Sequence, residues 1–214
     1  VKWSVVIPVK TTAAGKSRLE LPDADRPQLA LAIALDTIAA AANADAVDEV
    51  IVVTGDADVQ AGVDQITSAR WIPDPGMGLN GAVRAGLEQA QNDARAAMLG
   101  DLPALTSRDL DRALLAATAE DRAVVADAEN AGSVLVTWRT PATYEPHFGS
   151  DSARRHADAG HVLLDIPTTS TVRRDVDTAD QMRDAHALGL GPRTSALLEA
   201  ALRNRTERED SSAA

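Results

Sequence analysis

Short apolar runs separated by helix-length stretches decide what this chain can fold into. Trp3–Val9 is a β-rich run, and its Pro8 favours extended backbone before it. Pro27 opens a helix over 28–42 whose apolar face carries Leu31, Leu35 and Ile38. Further strands are read at 50–54, 96–99, 123–126 and 133–138, with a short helix after the first of these leading to Ala69-Arg70-Trp71-Ile72 and helices at 79–92 and 109–119 among them. Strands alternating with helices of about ten to fifteen residues indicate βαβ units. The expected fold class is α/β, a mostly parallel twisted sheet with helices on both faces. After Trp138 the rhythm changes. Residues 140–149 read as irregular, 150–159 as a short helix, and two brief strands bracket Pro167. Helices at 179–188 and 194–203 precede a polar tail, 204–214, which is expected to be disordered. The chain is therefore read as one domain, 1–203, with a tail.

Composition narrows the function. Aromatic residues make up 2% of the 214 positions, so the core must be built from Ala, Val, Leu and Ile. The net charge of −11 argues against nucleic acid or an anionic membrane as partner, since both need clustered Lys and Arg. A phosphate ligand would have to be met locally, by a few cations or by metal. The absence of cysteine excludes disulfides, thiolate zinc sites and cysteine nucleophiles. The four histidines, at 147, 156, 161 and 186, show no metal-ligand spacing, and the two that flank the helix at 150–159 read as surface residues. No apolar stretch approaches the ~20 residues of a membrane span. The first strand begins at Trp3 with no leader before it, so a cytoplasmic protein is expected.

Four segments carry chemistry. At 96–99 an apolar run ends in Gly100-Asp101-Leu102-Pro103, which sets the Asp101 carboxylate at a strand end, where open α/β sheets bind ligands. Thr106 or Ser107 is the better cap for the next helix, which leaves Asp101 for a metal ion held against a phosphate. The loop after the first strand holds Lys10, Gly15, Lys16, Ser17 and Arg18, suited to a polyphosphate or simply solvated. Gly15-Lys16-Ser17 resembles the end of a Walker A loop, but Lys10 stands where the first glycine is required, and a P-loop is rejected.

Asp175 and Asp177, two apart on a presumed strand, would share a face and repel unless a cation sits between them. Magnesium is the natural choice; an exposed pair beside Arg173 and Arg174, or Asp177 as a helix cap, is the alternative. Asp74-Pro75-Gly76-Met77-Gly78-Leu79-Asn80 is a turn that brings backbone amides to a ligand, with Asn80 either reading a base or ribose or serving as an N-cap. The segment from His147 to Arg154 reads as a helix start able to bind an anion, or as a plain cap by Ser150 or Asp151.

Taken in order, Pro8-Val9-Lys10 with Lys16-Ser17-Arg18-Leu19, then Asp74 to Asn80, Gly100 to Leu105, His147 to His156 and Asp175 to Thr178 are similar to one family. The chain resembles the 2-phospho-L-lactate or phosphoenolpyruvate guanylyltransferases of coenzyme F420 biosynthesis, over about residues 5–198. The resemblance implies a GT-A-like, Rossmann-like nucleotidyltransferase fold. It implies transfer of GMP from GTP to a phosphorylated three-carbon acid, with release of pyrophosphate. On the matching positions, Asp101, Asp175 and Asp177 would hold Mg2+, with Asp101 and Lys16 catalytic. The acceptor would meet Gly149, Ser152 and Ser133, the last a Ser where the family carries Thr. GTP would meet Lys10, Gly15, Lys16, Ser17, Arg18, Asp74, Gly78, Leu79 and Asn80, with Asn80 and its glycine loop toward guanosine. Phosphoenolpyruvate is favoured over 2-phospholactate because the Ala- and Arg-rich composition suits a high-GC bacterium. The oligomeric state is left open, a homodimer among the options. The rival expectations are a related nucleotidyltransferase acting on another cofactor or sugar phosphate, a kinase-like NTPase, and a nucleotide sensor without catalysis.

Overall fold

The computed structural model describes residues 1–10, 25–140 and 143–212, with side chains through Asn204. Seven strands form one sheet: β1 (Trp3–Val9), β2 (Val47–Thr54), β3 (Ala69–Pro73), β4 (Ala94–Met98), β5 (Arg122–Ala126), β6 (Ser133–Trp138) and β7 (Val162–Leu163). Their order is β3-β2-β1-β4-β6-β5-β7. The pairs β1–β2, β2–β3, β1–β4 and β5–β7 are parallel, whereas β6 runs antiparallel to both β4 and β5. One strand out of seven is therefore reversed, and the sheet is mostly parallel as expected.

Alternation along the strands produces two cores. Val5, Ile7, Val50, Val52, Ala96 and Met98 point to one face, where they meet α1 (Arg26–Ala42), α2 (Ala57–Val63) and α4 (Ser107–Ala117). Val6, Ile51, Val53 and Ala97 point to the other, where they meet Val83 and Leu87 of α3 (Gly78–Glu88). Strands buried on both faces read as continuous apolar runs, which is why these were visible in the sequence. At Gly86 an added Cβ would fall 2.3 Å from Val6 Cγ1, so this glycine lets α3 lie close on β1.

A third cluster lies on the outer side of α1. Leu29 and Ile33 pack against Val176 and against Met182 and Ala185 of α6 (Ala179–Leu188), with Leu197 and Leu198 of α7 (Pro192–Ser212) at its margin. The Asp36 carboxylate of α1 accepts the backbone N–H groups of Arg193 and Thr194, satisfying the start of α7.

Three expectations are corrected. Residues 204–212, expected to be disordered, continue α7. Arg and Glu, which gave that segment its polar composition, are also good helix formers, and the packed Leu197 and Leu198 lie one helical run upstream. Of the two strands around Pro167 only β7 exists; Thr171–Arg173 is a single 3-10 turn. The histidines near α5 (Ser152–Asp158) are not both on the surface, since His161 is buried, as is His156 within the helix. Among the described residues no helix is long and apolar enough to cross a membrane.

Candidate active site

The reversal of β6 builds the site. The carboxyl ends of β1, β4 and β5 and the amino end of β6 meet on one edge of the sheet. β1 lies between β2 and β4, so the connections diverge at its carboxyl end, the place where open α/β sheets leave a ligand crevice. A cavity of about 720 Å³ lies there. Lys10 follows β1, Gly100-Asp101 follows β4, Asp127 follows β5 and Ser133 begins β6, and all line the cavity.

Asp101 is positioned by its neighbours. A Cβ at Gly100 would stand 3.2 Å from Ile7 Cγ2 and Val9 Cγ2, so glycine lets the chain pass close over the end of β1. Thr106 caps α4 by accepting the Asp109 N–H, which leaves Asp101 out of the capping role. The Val176 N–H donates to the Asp101 carbonyl at 3.1 Å, and the Val176 side chain is fully buried. Burying a valine stabilises by about 1.5–3 kcal/mol. That anchor sets Asp175 and Asp177 beside Asp101. The two carboxylates stand on irregular backbone after the 3-10 turn, not on the strand the sequence suggested. Both still line the cavity. Asp177 is not the helix cap; Thr178 is, in a capping box with Gln181.

Sequence reasoning missed Asp127. The signal was present, because Val124-Val125-Ala126-Asp127 repeats the pattern of an apolar run ending on a carboxylate that marked Asp101. The Asp127 carboxylate accepts the N–H groups of Ala131 at 2.8 Å and Gly132 at 2.6 Å, closing the β5–β6 turn. The buried Arg173 guanidinium donates to the carbonyls of Ala126 and Asp127 and fixes the same turn from behind. Asp127, Glu129 and Asp175 present carboxylate oxygens within 4.8 Å of one another.

The electrostatics of this wall ask for a cation. Burial, and then the charges of Asp101, Asp127 and Asp177, push the Asp175 carboxyl up to about 7. Its Oδ1 is buried and accepts no hydrogen bond among the described residues. Five aspartates and one lysine line the cavity among these residues, so an anion could enter only with counter-charge. Carboxylate oxygens are the donors a hard divalent ion takes. The residues present fit such an ion.

The opposite wall offers hydroxyls. The Ser133 N–H donates to Ser152 Oγ at 2.7 Å, and Ser133 Oγ lies 2.9 Å from His156 Nδ1. Gly149, at φ +119°, turns the chain into this wall in a conformation that disfavours any side chain. Ser133, Gly149 and Ser152 all line the cavity, so the acceptor residues expected from the sequence are brought together. Of the two caps suggested for α5, Ser150 and Asp151, it is Asp151 that stands at the N-cap, but its side chain makes no capping bond.

The turn before α3 is placed differently from its expectation. Met77 is the N-cap of α3 and Asn80 lies inside the helix. The Asn80 amide donates to the Phe148 carbonyl at 3.2 Å and accepts the Phe148 N–H at 2.8 Å, holding the strand of chain that leads to Gly149. Asp74 accepts the Gly76 N–H within its own turn. Of Asp74, Gly78, Leu79 and Asn80, Leu79 alone lines the cavity. Lys10 reaches it, whereas Gly15, Lys16, Ser17 and Arg18 lie outside the described residues.

Comparison with known proteins agrees with this geometry. Residues 13–208 match the MobA-like NTP transferase domain. The chain is 44% identical to a phosphoenolpyruvate guanylyltransferase of Streptomyces scabiei, over 92% of this chain and 95% of that one. It is 40% identical to a phosphoenolpyruvate guanylyltransferase of Sanguibacter keddieii, over 92% and 84% of the two chains. Among solved structures, a nucleotidyl transferase from Methanothermobacter superposes with a TM-score of 0.57 at 16% identity, over 87% of this chain and 97% of that one, which shows the shared fold. With a strand-end carboxylate cluster on a mostly parallel sheet and relatives matched over most of its length, the chain belongs to the MobA-like NTP transferase family, among the nucleotidyltransferases named phosphoenolpyruvate guanylyltransferase.

Proposed function

We propose that this protein joins GMP from GTP to phosphoenolpyruvate and releases pyrophosphate, as a cytoplasmic, Mg2+-dependent step of coenzyme F420 biosynthesis. The observation that carries this reading is the meeting of two walls in one cavity, Asp101, Asp175 and Asp177 on one side and Ser133, Gly149 and Ser152 on the other. The names of the relatives support the choice of substrates.

The reaction is a displacement at the α-phosphorus of GTP. An oxygen of the acceptor phosphate forms the new P–O bond, and the bond to the bridging oxygen breaks, with its electron pair leaving on pyrophosphate. A phosphate monoester has a second pKa of about 6, so the attacking oxygen is already ionised and no general base is needed. The work left to the protein is electrostatic, because two polyanions must approach. Lys10, with Lys16 and Arg18 from the segment before α1, meets the triphosphate. The hydroxyls of Ser133 and Ser152 hold the acid. Asp101, Asp175 and Asp177, with Asp127 beside them, would hold the ion. Mg2+ when bound neutralises phosphate oxygens and stabilises the charge of an in-line transfer.

The test is release of pyrophosphate from GTP with Mg2+ and, in turn, phosphoenolpyruvate, 2-phospholactate and 3-phosphoglycerate. Turnover with phosphoenolpyruvate is expected. GDP in place of pyrophosphate would turn the reading to a kinase, or with orthophosphate to an NTPase, and no product with any acid would overturn it.

A further inference from the structure

His156 belongs to none of the roles drawn from sequence, yet both nitrogens of its ring are hydrogen-bonded at the hydroxyl wall. It is fully buried in α5. Its Nδ1 lies 2.9 Å from the Ser152 carbonyl, which can only accept, so Nδ1 carries the proton. Its Nε2 receives the His147 backbone N–H at 2.9 Å, so Nε2 carries none. Two main-chain groups thus dictate one neutral tautomer. Burial, and then the neighbouring His161, holds the imidazole down to about 4, which keeps that form at neutral pH.

The tautomer has a consequence for Ser133. Its Oγ is also 2.9 Å from Nδ1, so the one ring N–H is shared between the Ser152 carbonyl and the Ser133 hydroxyl oxygen, and that hydroxyl cannot donate to the ring. Ser152 Oγ, in turn, accepts the Ser133 N–H. Each hydroxyl spends a lone pair on a buried N–H and keeps its O–H, and both line the cavity. The opposite tautomer would draw the Ser133 proton onto Nδ1 and leave a lone pair facing the cavity. An anion needs donors, so only the observed tautomer suits one.

We propose that His156 is the positioning residue of the acceptor site, its Nδ1–H orienting the Ser133 hydroxyl so that this group donates to the acid. The inference rests on the acceptor reading above. It assigns the donor polarity of the Ser133 hydroxyl to a ring that touches no substrate, while the Ser152 hydroxyl owes the same polarity to the Ser133 N–H.

Two substitutions of similar polarity separate the idea from plain packing. The amide of His156→Asn can place an N–H at the Nδ1 position, and that of His156→Gln reaches the Nε2 position instead. His156→Asn is expected to keep the KM for phosphoenolpyruvate within about threefold. His156→Gln should raise it roughly tenfold or more, as loss of a hydrogen bond to a charged group does, with the KM for GTP unchanged. In a Ser133→Ala background His156→Gln should add nothing further, because its effect passes through that hydroxyl. Equal effects of Asn and Gln, a matching rise in the KM for GTP, or full additivity with Ser133→Ala would overturn the proposal. Should either variant fail to fold, Ser133→Ala against Ser133→Thr decides, since Thr keeps the hydroxyl: equal KM values for the acid would overturn it. Wild-type protein that releases no pyrophosphate with phosphoenolpyruvate refutes the acceptor reading instead, an outcome visible before any variant is made.

Discussion

On one wall of the cavity Asp101, Asp127, Asp175 and Asp177 crowd their charges together, and Asp175 is held up to about 7 by burial and by those neighbours. On the other wall Ser133, Ser152 and His156 satisfy one another through short hydrogen bonds and carry no charge. The first wall holds mutually opposed charges and gains on binding a cation. The second is already in its binding geometry and loses little entropy when an anion arrives. Function and stability therefore pull against each other on the carboxylate wall and pull together on the hydroxyl wall.

The sharpest way to break that contrast is to compare losses of activity. Asp101→Asn keeps the shape of the side chain and removes its charge, and is expected to lower kcat/KM for pyrophosphate release by roughly a thousandfold, in the range seen when charge stabilisation is removed from an active site. Its melting temperature should be no lower than that of the wild type, because the charge removed is one that opposes Asp175. Ser133→Ala should cost far less, about tenfold, and act on the KM for the acid. Similar losses from the two variants would show that the walls do not divide the work this way.

Acid should separate the walls by stability. An unfolded imidazole titrates near 6.5, and burial, then each ring's neighbours, brings His156 and His161 to about 4. Between these values the unfolded chain binds more protons, so this contribution is complete above pH 6.5 and is lost as pH falls through 4. The slope is at most about 1.4 kcal/mol per pH unit for each ring. The physical event at His156 is a donor meeting a donor, since a proton on Nε2 would face the His147 N–H. Urea unfolding at pH 7 and pH 5 should show His156→Asn losing less stability across that interval than the wild type. An identical loss would remove His156 from the acid response.

How far each wall was legible in the sequence follows from how local its construction is. Asp101 was readable because an apolar run, a glycine, an aspartate and a proline are contiguous. Asp127 follows the same rule without a glycine beside it, and what aims its carboxylate is the turn to Gly132 and the distant Arg173. Asp175 and Asp177 were found through a strand that does not exist. They still converge on the site because Val176 between them is buried and bonded to Asp101. The spacing of the two carboxylates survived because the apolar residue between them does the anchoring. Asn80 looked like a group aimed at a ligand because its partner, Phe148, is 68 residues away. The histidines were misjudged for the same reason, since polarity alone places His161 outside while the rings of His156 and Trp138 enclose it. The mostly parallel sheet was legible from its buried runs, but the reversal of β6, which brings Ser133 to the site, lies in no local signal.

The smallest effect tests that opposition of charges directly. Asp175→Asn removes the buried charge that Asp101, Asp127 and Asp177 oppose. Because the folded carboxyl is raised from 3.8 to about 7, the folded chain binds the extra proton between those values. Its contribution to stability is therefore full below pH 3.8 and is lost as pH rises through 7. At pH 8 without divalent ions the variant should be more stable than the wild type by about 1–2 kcal/mol, a discounted figure because the cavity admits water. For a chain of this length, that is a rise of about 2–8 °C in melting temperature. At pH 5, partway through that window, the difference should fall to well under half of its value at pH 8, and it should vanish only below pH 3.8. Addition of Mg2+ at pH 8 should then stabilise the wild type and not the variant, so that the order of the two reverses. A variant that is no more stable at pH 8 than at pH 5, relative to wild type, would mean that the aspartates of this wall are relieved within the protein itself, and that the two walls do not differ in the way their charges suggest.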